Sequence, residues 1–271
     1  DAKPVHHLVV YAGPSQFDAL SRLSLQLERA VDLGWSWIRP FSTLLLRVLN
    51  WLYGWLHNYG VAIIALATLV RVLLHPLNMS SMRNMRAMQK LQPEMERVRA
   101  KYKDDATALN TAVMALYKEN KVNPAGGCLP MLVQMPFFIA LYQVLFNAIE
   151  LRQAPFFAWI SDLSAPDHLL SIGPFPIHVL PILMTLSGLL SFKLTPQDPR
   201  QAPTMMMMNV VMLVFFYKLP SGLVLYWTVM NLLTALQQWL LIVQDRSTTS
   251  AAEVVPDPVP TGKRRKAGAR S

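Results

Sequence analysis

Apolar residues in this chain come in long blocks separated by short polar or basic stretches. A helix that spans a bilayer needs about 20 mostly apolar residues, and four blocks reach that length. Tyr59–Leu77 is apolar apart from Arg71 and His75; Val122–Ile149 and Leu169–Phe192 carry no charge; Met205–Val243 carries only Lys218. The last block is 39 residues long, too long for one span, and contains Pro220-Ser221-Gly222, a turn signal. Divided there, the pattern predicts an all-α membrane protein with five transmembrane helices, placed at 59–77, 128–149, 175–192, 205–219 and 223–243. The fourth is short for a full bilayer. It must begin earlier, near Ala202, or sit where the membrane is thin.

Between the blocks the periods change. In 35–58, apolar Ile38, Phe41, Leu45, Val48 and Leu52 recur at helical spacing, with Arg39, Thr43, Arg47, Asn50, Gly54 and His57 opposite and Trp35, Trp37, Trp51 and Trp55 interspersed. That pattern predicts an amphipathic helix lying in the outer membrane–water interface; a soluble helix packed on a core is the alternative. Residues 78–121 are polar and basic, with Pro93 inside a helical pattern and Lys103-Asp104-Asp105 as a turn, which predicts a cytoplasmic helical hairpin. Met79, Met82, Met85, Met88 and Met95 recur along it, either as a flexible surface for apolar segments or as the hairpin's own packing. Residues 1–33, with the strand-like run Leu8–Tyr11, resemble the end of an extracytoplasmic domain. The chain opens on Asp1 rather than Met and so reads as a fragment or processed form. Residues 150–174 and 193–204 are connecting loops, and 244–271 forms a basic tail ending in Lys263–Lys266, predicted to be disordered.

Composition agrees with the membrane reading. Of 271 residues 53% are hydrophobic and only 15% charged, against about 25% charged in soluble domains. Charge then sets the orientation. With five spans the termini lie on opposite sides; one side collects 17 Lys and Arg, the other seven, and Arg71 lies within a span. The positive-inside rule places residue 1 outside and the C-terminus in the cytoplasm. A single cysteine, Cys128, permits neither an internal disulfide nor a cysteine metal site.

Arg71 is the most informative residue, because a cation in a span costs about 2.5–3.5 kcal/mol on insertion scales. Snorkelling to the nearby end of the helix is one explanation. The neighbours suggest another. Thr68, Arg71, His75 and Asn78 form one polar stripe, Trp227, Asn231, Thr234 and Gln238 a second, and Gln134, Tyr142, Ser187 and Ser191 add polar groups from two further spans. Stripes on several helices turned toward each other make a polar cavity open to the cytoplasm. No Asp or Glu occurs in any span, so the arginine is available to a visiting anion. A small-anion transporter could use such a cavity, although no internal repeat is evident. Enzyme activity is not expected: His6-His7 lie outside the spans, no span holds Asp, and Ser221 has no nucleophile-elbow context. No phosphate-binding loop is present, and no cofactor or metal is expected.

The run from Asn123 through Gly126-Gly127-Cys128-Leu129-Pro130 to Gln134 and Tyr142 resembles the YidC/Oxa/Alb family of membrane protein insertases. So do Arg71, the external stretch Glu150–Ser164, and Pro220-Ser221-Gly222 leading to Tyr226-Trp227. Tyr11–Pro14 with Leu151–Pro155 resembles the family's Gram-negative bacterial branch. The resemblance implies a five-helix core around a hydrophilic groove open to cytoplasm and lipid. It implies that Arg71, Gln134, Tyr226 and Trp227 receive hydrophilic client segments, to which the polar stripes add Thr68 and Asn231. Met131, Met135, Phe138, Met208, Met212 and Phe215 would then form an apolar path. Where relatives can have threonine four residues before the arginine, this chain has Ala67, with Thr68 beside it. The implied location is the bacterial inner membrane. The implied partners are nascent membrane proteins, the Sec translocon, the ribosome and signal-recognition receptor through hairpin and tail, and the lipid bilayer.

Overall fold

The computed structural model describes residues 10–23, 26–123, 126, 129–173, 175–195 and 202–252. The side chain of Met131, Cys128 and the Lys263–Lys266 cluster lie outside them, as do Leu8 and Val9 of the Leu8–Tyr11 run.

Ten α-helices and one small hairpin make up the described chain. Helix α1 (Phe17–Arg22) lies on α2 (Arg39–Leu56): Asn50 Nδ2 donates to Asp18 Oδ2 at 3.0 Å, and the Arg47 guanidinium sits 5.7 Å from the centre of the Phe17 ring. Helix α2 stops at His57, which adopts a left-handed conformation (φ 53°). Asn58 then starts α3 (Tyr59–Leu73), its side-chain oxygen accepting the Val61 N–H at 3.1 Å.

The apolar block 59–77 is not one straight helix. Pro76 has no N–H to offer and its ring crowds the carbonyl four residues back. The chain breaks at Leu74, and α4 (His75–Lys90) leaves at 63° to α3. Leu91 separates α4 from α5 (Gln92–Lys101), with Pro93 in the first turn of α5. Asp105 caps α6 (Ala106–Glu119) through the N–H groups of Thr107 and Ala108. The hairpin proper is therefore α5 with α6, closed by a hydrogen bond from Tyr117 Oη to Met95 Sδ at 3.2 Å. Met82 and Met95 are buried, and Met79, Met85 and Met88 are partly so.

Helix α7 (Leu129–Asn147) contains Pro136, and a 3-10 turn follows at Ile149–Leu151. Where the hydrophobic pattern suggested a helix from residue 175, the chain first forms a β-hairpin. Strand β1 (Leu170–Ile172) runs antiparallel to β2 (Phe175–Ile177), pairing Ser171 with Pro176. Helix α8 starts only at Val179, extends to Leu194, and is followed by α9 (Ala202–Phe216) and α10 (Ser221–Ala252). Asp167, buried to 3% exposure, fixes that start: its Oδ2 accepts from Val179 N, Leu180 N and Trp159 Nε1 at 2.8–3.0 Å.

Helix α10 packs along α8 and against α3, α2 packs on α3 and α7, and α9 leans on α8. Their shared core includes Leu46, Leu49, Ile63, Leu66, Leu145, Leu163, Phe216 and Leu223, each almost wholly buried. The buried side of α2 is Ile38, Ser42, Leu45, Leu46 and Leu49, whereas Phe41 is 45% exposed. That side is rotated from the Ile38–Phe41–Leu45–Val48–Leu52 face that periodicity suggested. Among the described residues no single helix is long and apolar enough to cross a membrane; α3 and α4 reach that length together, as a bent pair.

Candidate functional site: a polar cavity around Arg71

Arg71 lies in the last turn of α3, just before the break. Its Nε and Nη2 are buried and have no hydrogen-bond partner among the described residues. They lie at a cavity of about 200 Å³, where α3, α4, α7 and α10 meet. Helix α7 contributes Gln134 and Phe138; α10 contributes Tyr226, Trp227, Met230, Asn231 and Thr234; α4 contributes Asn78.

The walls are held by specific bonds. Gln134 Nε2 donates to Tyr226 Oη at 3.0 Å, joining α7 to α10. The Trp227 ring meets Phe138 edge-on at 5.1 Å and leans against Phe216 at 5.4 Å. Asn231 Nδ2 donates to Met184 O at 3.2 Å and Ser187 Oγ at 3.4 Å, which commits its N–H groups to α8. Thr234 Oγ1 donates back to Met230 O within its own helix. Asn78 Nδ2, like the two arginine nitrogens, is buried without a partner among the described residues. The cavity therefore presents unpaired donors on one side and aromatic rings on the other. A buried donor left unpaired costs about 1–3 kcal/mol, so the arrangement favours water or an acceptor group as occupant.

Five of the six residues singled out from the sequence line this cavity: Arg71, Gln134, Tyr226, Trp227 and Asn231. Thr68 does not. It is exposed, and its hydroxyl donates to Ile64 O at 2.8 Å. Within the second polar stripe Gln238 also departs: it is 1% exposed and does not line the cavity, and its Oε1 has no partner among the described residues. The neighbouring Gln237, which lies off that stripe, brings its Nε2 to 2.9 Å from His75 Nδ1 and so ties α10 to the start of α4. Helical spacing cannot foresee this contact, because it depends on the 63° break.

At the other end of the bundle, motifs distant in sequence meet. Ser221 N donates to Ala165 O and Gly222 N to Leu163 O, at 2.8 and 2.9 Å, and Ser221 Oγ donates to Asp162 O at 2.8 Å. A side chain at position 222 would stand 3.1 Å from Leu163 O, tighter than ordinary contact, so glycine allows the close approach. Gly60 similarly faces the Phe156 ring, which a Cβ would strike at 2.0 Å. Outside the helical blocks, Glu150 Oε1 accepts from Phe17 N at 3.4 Å, and burial raises its carboxyl pKa above the ordinary value. Among the described residues no group of three His, Cys, Asp or Glu could hold a metal ion.

Comparison with known proteins places this geometry. The family model described as 60Kd inner membrane protein matches residues 51–248. The membrane protein insertase YidC of Geobacter metallireducens is 47% identical over 231 residues, 84% of this chain and 41% of that protein. The YidC of Geobacter sulfurreducens is 45% identical over 244 residues, 89% of this chain and 44% of that protein. The chain thus spans about two fifths of the length of these curated relatives. A crystal structure of an active YidC insertase with its first transmembrane domain resolved aligns with 83% of this chain and 51% of its own, with a TM-score of 0.59 and 28% identity. The predominantly helical fold described above is that of the insertase, and the chain belongs to the 60Kd inner membrane protein family, the family of the YidC membrane protein insertases.

Proposed function

We propose that this chain is the helical core of a membrane protein insertase and chaperone of the bacterial inner membrane. It receives hydrophilic client segments from the cytoplasm in the Arg71 cavity, a groove open to cytoplasm and lipid. The observation that carries this reading is the pair of buried Arg71 nitrogens with no partner among the described residues, in a cavity also lined by Asn78, Gln134 and Tyr226. A polar segment crossing hydrocarbon loses water from every backbone group, at several kcal/mol each. A wet cavity partway across shortens that dry path. Arg71 attracts an acidic segment transiently, and partition of the client's apolar segment into lipid drives the step without ATP.

The spans in this reading are α3 with the start of α4, then α7, α8, α9 and α10, with residue 1 outside and the C-terminus in the cytoplasm. Helix α9 supports a lipid environment: Met205–Met208, Val210, Val211, Val214 and Phe215 are all 44% or more exposed, which is unfavourable in water. Met135, Met208 and Phe215 are likewise exposed, as an apolar client path requires, while Phe138 and Met212 are partly buried. Helix α2 lies in the outer interface, and α5 with α6 forms the cytoplasmic hairpin. Nascent membrane proteins are the clients. The Sec translocon, the ribosome and the signal-recognition receptor are further partners, the last two through hairpin and tail.

Reconstitution of the full-length protein in liposomes tests the reading. A short membrane protein with an acidic tail is expected to insert unaided. Arg71→Ala is expected to lower its insertion about tenfold or more, the loss of one charge-assisted contact, while Arg71→Lys retains most activity. Insertion of a neutral-tailed client is expected to change little. Anion flux without insertion would replace this reading with a small-anion transporter.

A further inference from the structure

Helix α2 has three faces rather than two. Ile38, Ser42, Leu45, Leu46 and Leu49 face the protein core. Phe41, Leu44, Val48, Trp51 and Trp55, spaced 3, 4, 3 and 4, form an apolar row on the opposite edge; four of them are 45, 59, 61 and 74% exposed, and Val48 is partly buried. Between these lies a polar sector, Arg39, Thr43 and Arg47, which lines a separate cleft of about 560 Å³ with Arg29, Glu28 and Ser36. Leu44 belongs to both the cleft and the apolar row.

The cleft is cationic, with three arginines against one glutamate. Arg39 Nη2 donates to the backbone carbonyl of Glu28 at 2.9 Å, and the Arg47 guanidinium lies over Phe17. Neither partner neutralises a charge, and a guanidinium with one N–H engaged keeps others free. Arginine's planar fork matches phosphate oxygens. We infer that this cleft binds the phosphate of an anionic phospholipid, with an acyl chain running from Leu44 along the outer apolar row of α2. The inference rests on the proposed placement of α2 in the outer interface. Charge complementarity and the continuity of cleft with apolar row favour a lipid over a soluble phosphate, which has no use for the row. The lipid fixes the rotation of α2 at the membrane surface, and through it the packing of α2 on α3 and α7.

The test measures binding of phosphatidylglycerol to the full-length protein in detergent, by native mass spectrometry. Phosphatidylcholine and inorganic phosphate are run in parallel. Phosphatidylglycerol is expected to bind at least tenfold more tightly than either. Arg29→Gln with Arg47→Gln is expected to weaken it by about tenfold per arginine, and Arg47→Lys alone to weaken it less. Leu44→Ser is expected to weaken lipid binding and leave inorganic phosphate unaffected. Circular dichroism of the double variant checks that it is folded. Unchanged phosphatidylglycerol binding in the folded double variant overturns the inference; so does phosphate binding as tight as the lipid's. A spin label attached through Trp55→Cys, in a Cys128→Ser background, tests the underlying placement in liposomes. A label exposed to water refutes the interfacial position of α2, whereas a lipid-immersed label with unchanged lipid binding refutes only the headgroup site.

Discussion

At the scale of single residues, the chain places charge where its surroundings give it a reason. Arg71 keeps two donors without a partner among the described residues beside a cavity, whereas Glu150 is half-buried against the N–H of Phe17. Burial raises the Glu150 pKa most, with nearby Asp18 adding to the rise, against hydrogen bonds from the Glu150 and Phe17 backbone. The native state therefore holds this proton more tightly than the unfolded chain, whose glutamate titrates near ~4.3. The contribution of this site to stability is fully present below that value and is lost as pH rises through the raised native pKa. Glu150→Gln keeps an oxygen for Phe17 N and removes the titration. Its melting temperature relative to wild type is expected to be higher at pH 7 than at pH 4. An equal difference at both pH values would show that the carboxyl is not perturbed by burial. The cavity residues of α7 and α10 were legible in the sequence because they recur at helical spacing within apolar blocks, whereas Asn78 reaches the cavity across the α3–α4 break. Asn231 and Gln134 were visible as polar residues in apolar blocks, but that Asn231 spends its N–H groups on α8 was not.

At the scale of elements, the errors of periodicity have physical causes. The α2 pattern adds two apolar surfaces, one toward the core and one outward, so the apparent face falls between them. Asn78 and Gln237 depend on the α3–α4 break, which Pro76 makes possible but whose angle the sequence does not specify. The β-hairpin overlaps the start of the helix expected from residue 175, because apolar composition alone does not separate strand from helix; β2 takes 175–177 and the Asp167 cap sets the start of α8 at Val179. Pro76→Ala tests the cause of the break. Proline costs about 3 kcal/mol in a helix interior, so removing it makes a continuous α3–α4 helix accessible. Opposing it are the His75–Gln237 bond, worth about 1 kcal/mol, and the burial of Asn78, Ser81 and Met82. Spin labels at the exposed positions 69 and 89 are expected to give a longer, broader distance distribution in the variant. An unchanged distribution would mean that tertiary contacts alone set the bend.

At the scale of the whole molecule, helix lengths constrain the surrounding bilayer. Helices α8 and α9 have 16 and 15 residues, about 24 and 22 Å at 1.5 Å per residue. A typical hydrocarbon core is about 30 Å thick. As spans, both are short by several ångströms, and mismatch costs a fraction of a kcal/mol per ångström. Asp167 fixes the start of α8, and Ser221–Gly222 ties the turn after α9 to residues 162–165, so neither helix lengthens at that end. In the proposed five-span arrangement the lipid adjusts instead, and a thinned bilayer would also shorten the dry path from the Arg71 cavity to the far side. That arrangement couples thickness and function in one direction. Insertion of an acidic-tailed client by the full-length protein, in liposomes of monounsaturated phosphatidylcholine of increasing chain length mixed with constant phosphatidylglycerol, is expected to be fastest in the 14- and 16-carbon lipids. It is expected to fall severalfold by 22 carbons, where a few extra kcal/mol of mismatch and of client desolvation add to the barrier. A control without protein separates spontaneous insertion, which also rises in thin bilayers, from the catalysed part. A catalysed rate that stays flat or climbs with chain length would mean that α8 and α9 are not full spans, and with them the five-span arrangement would fail.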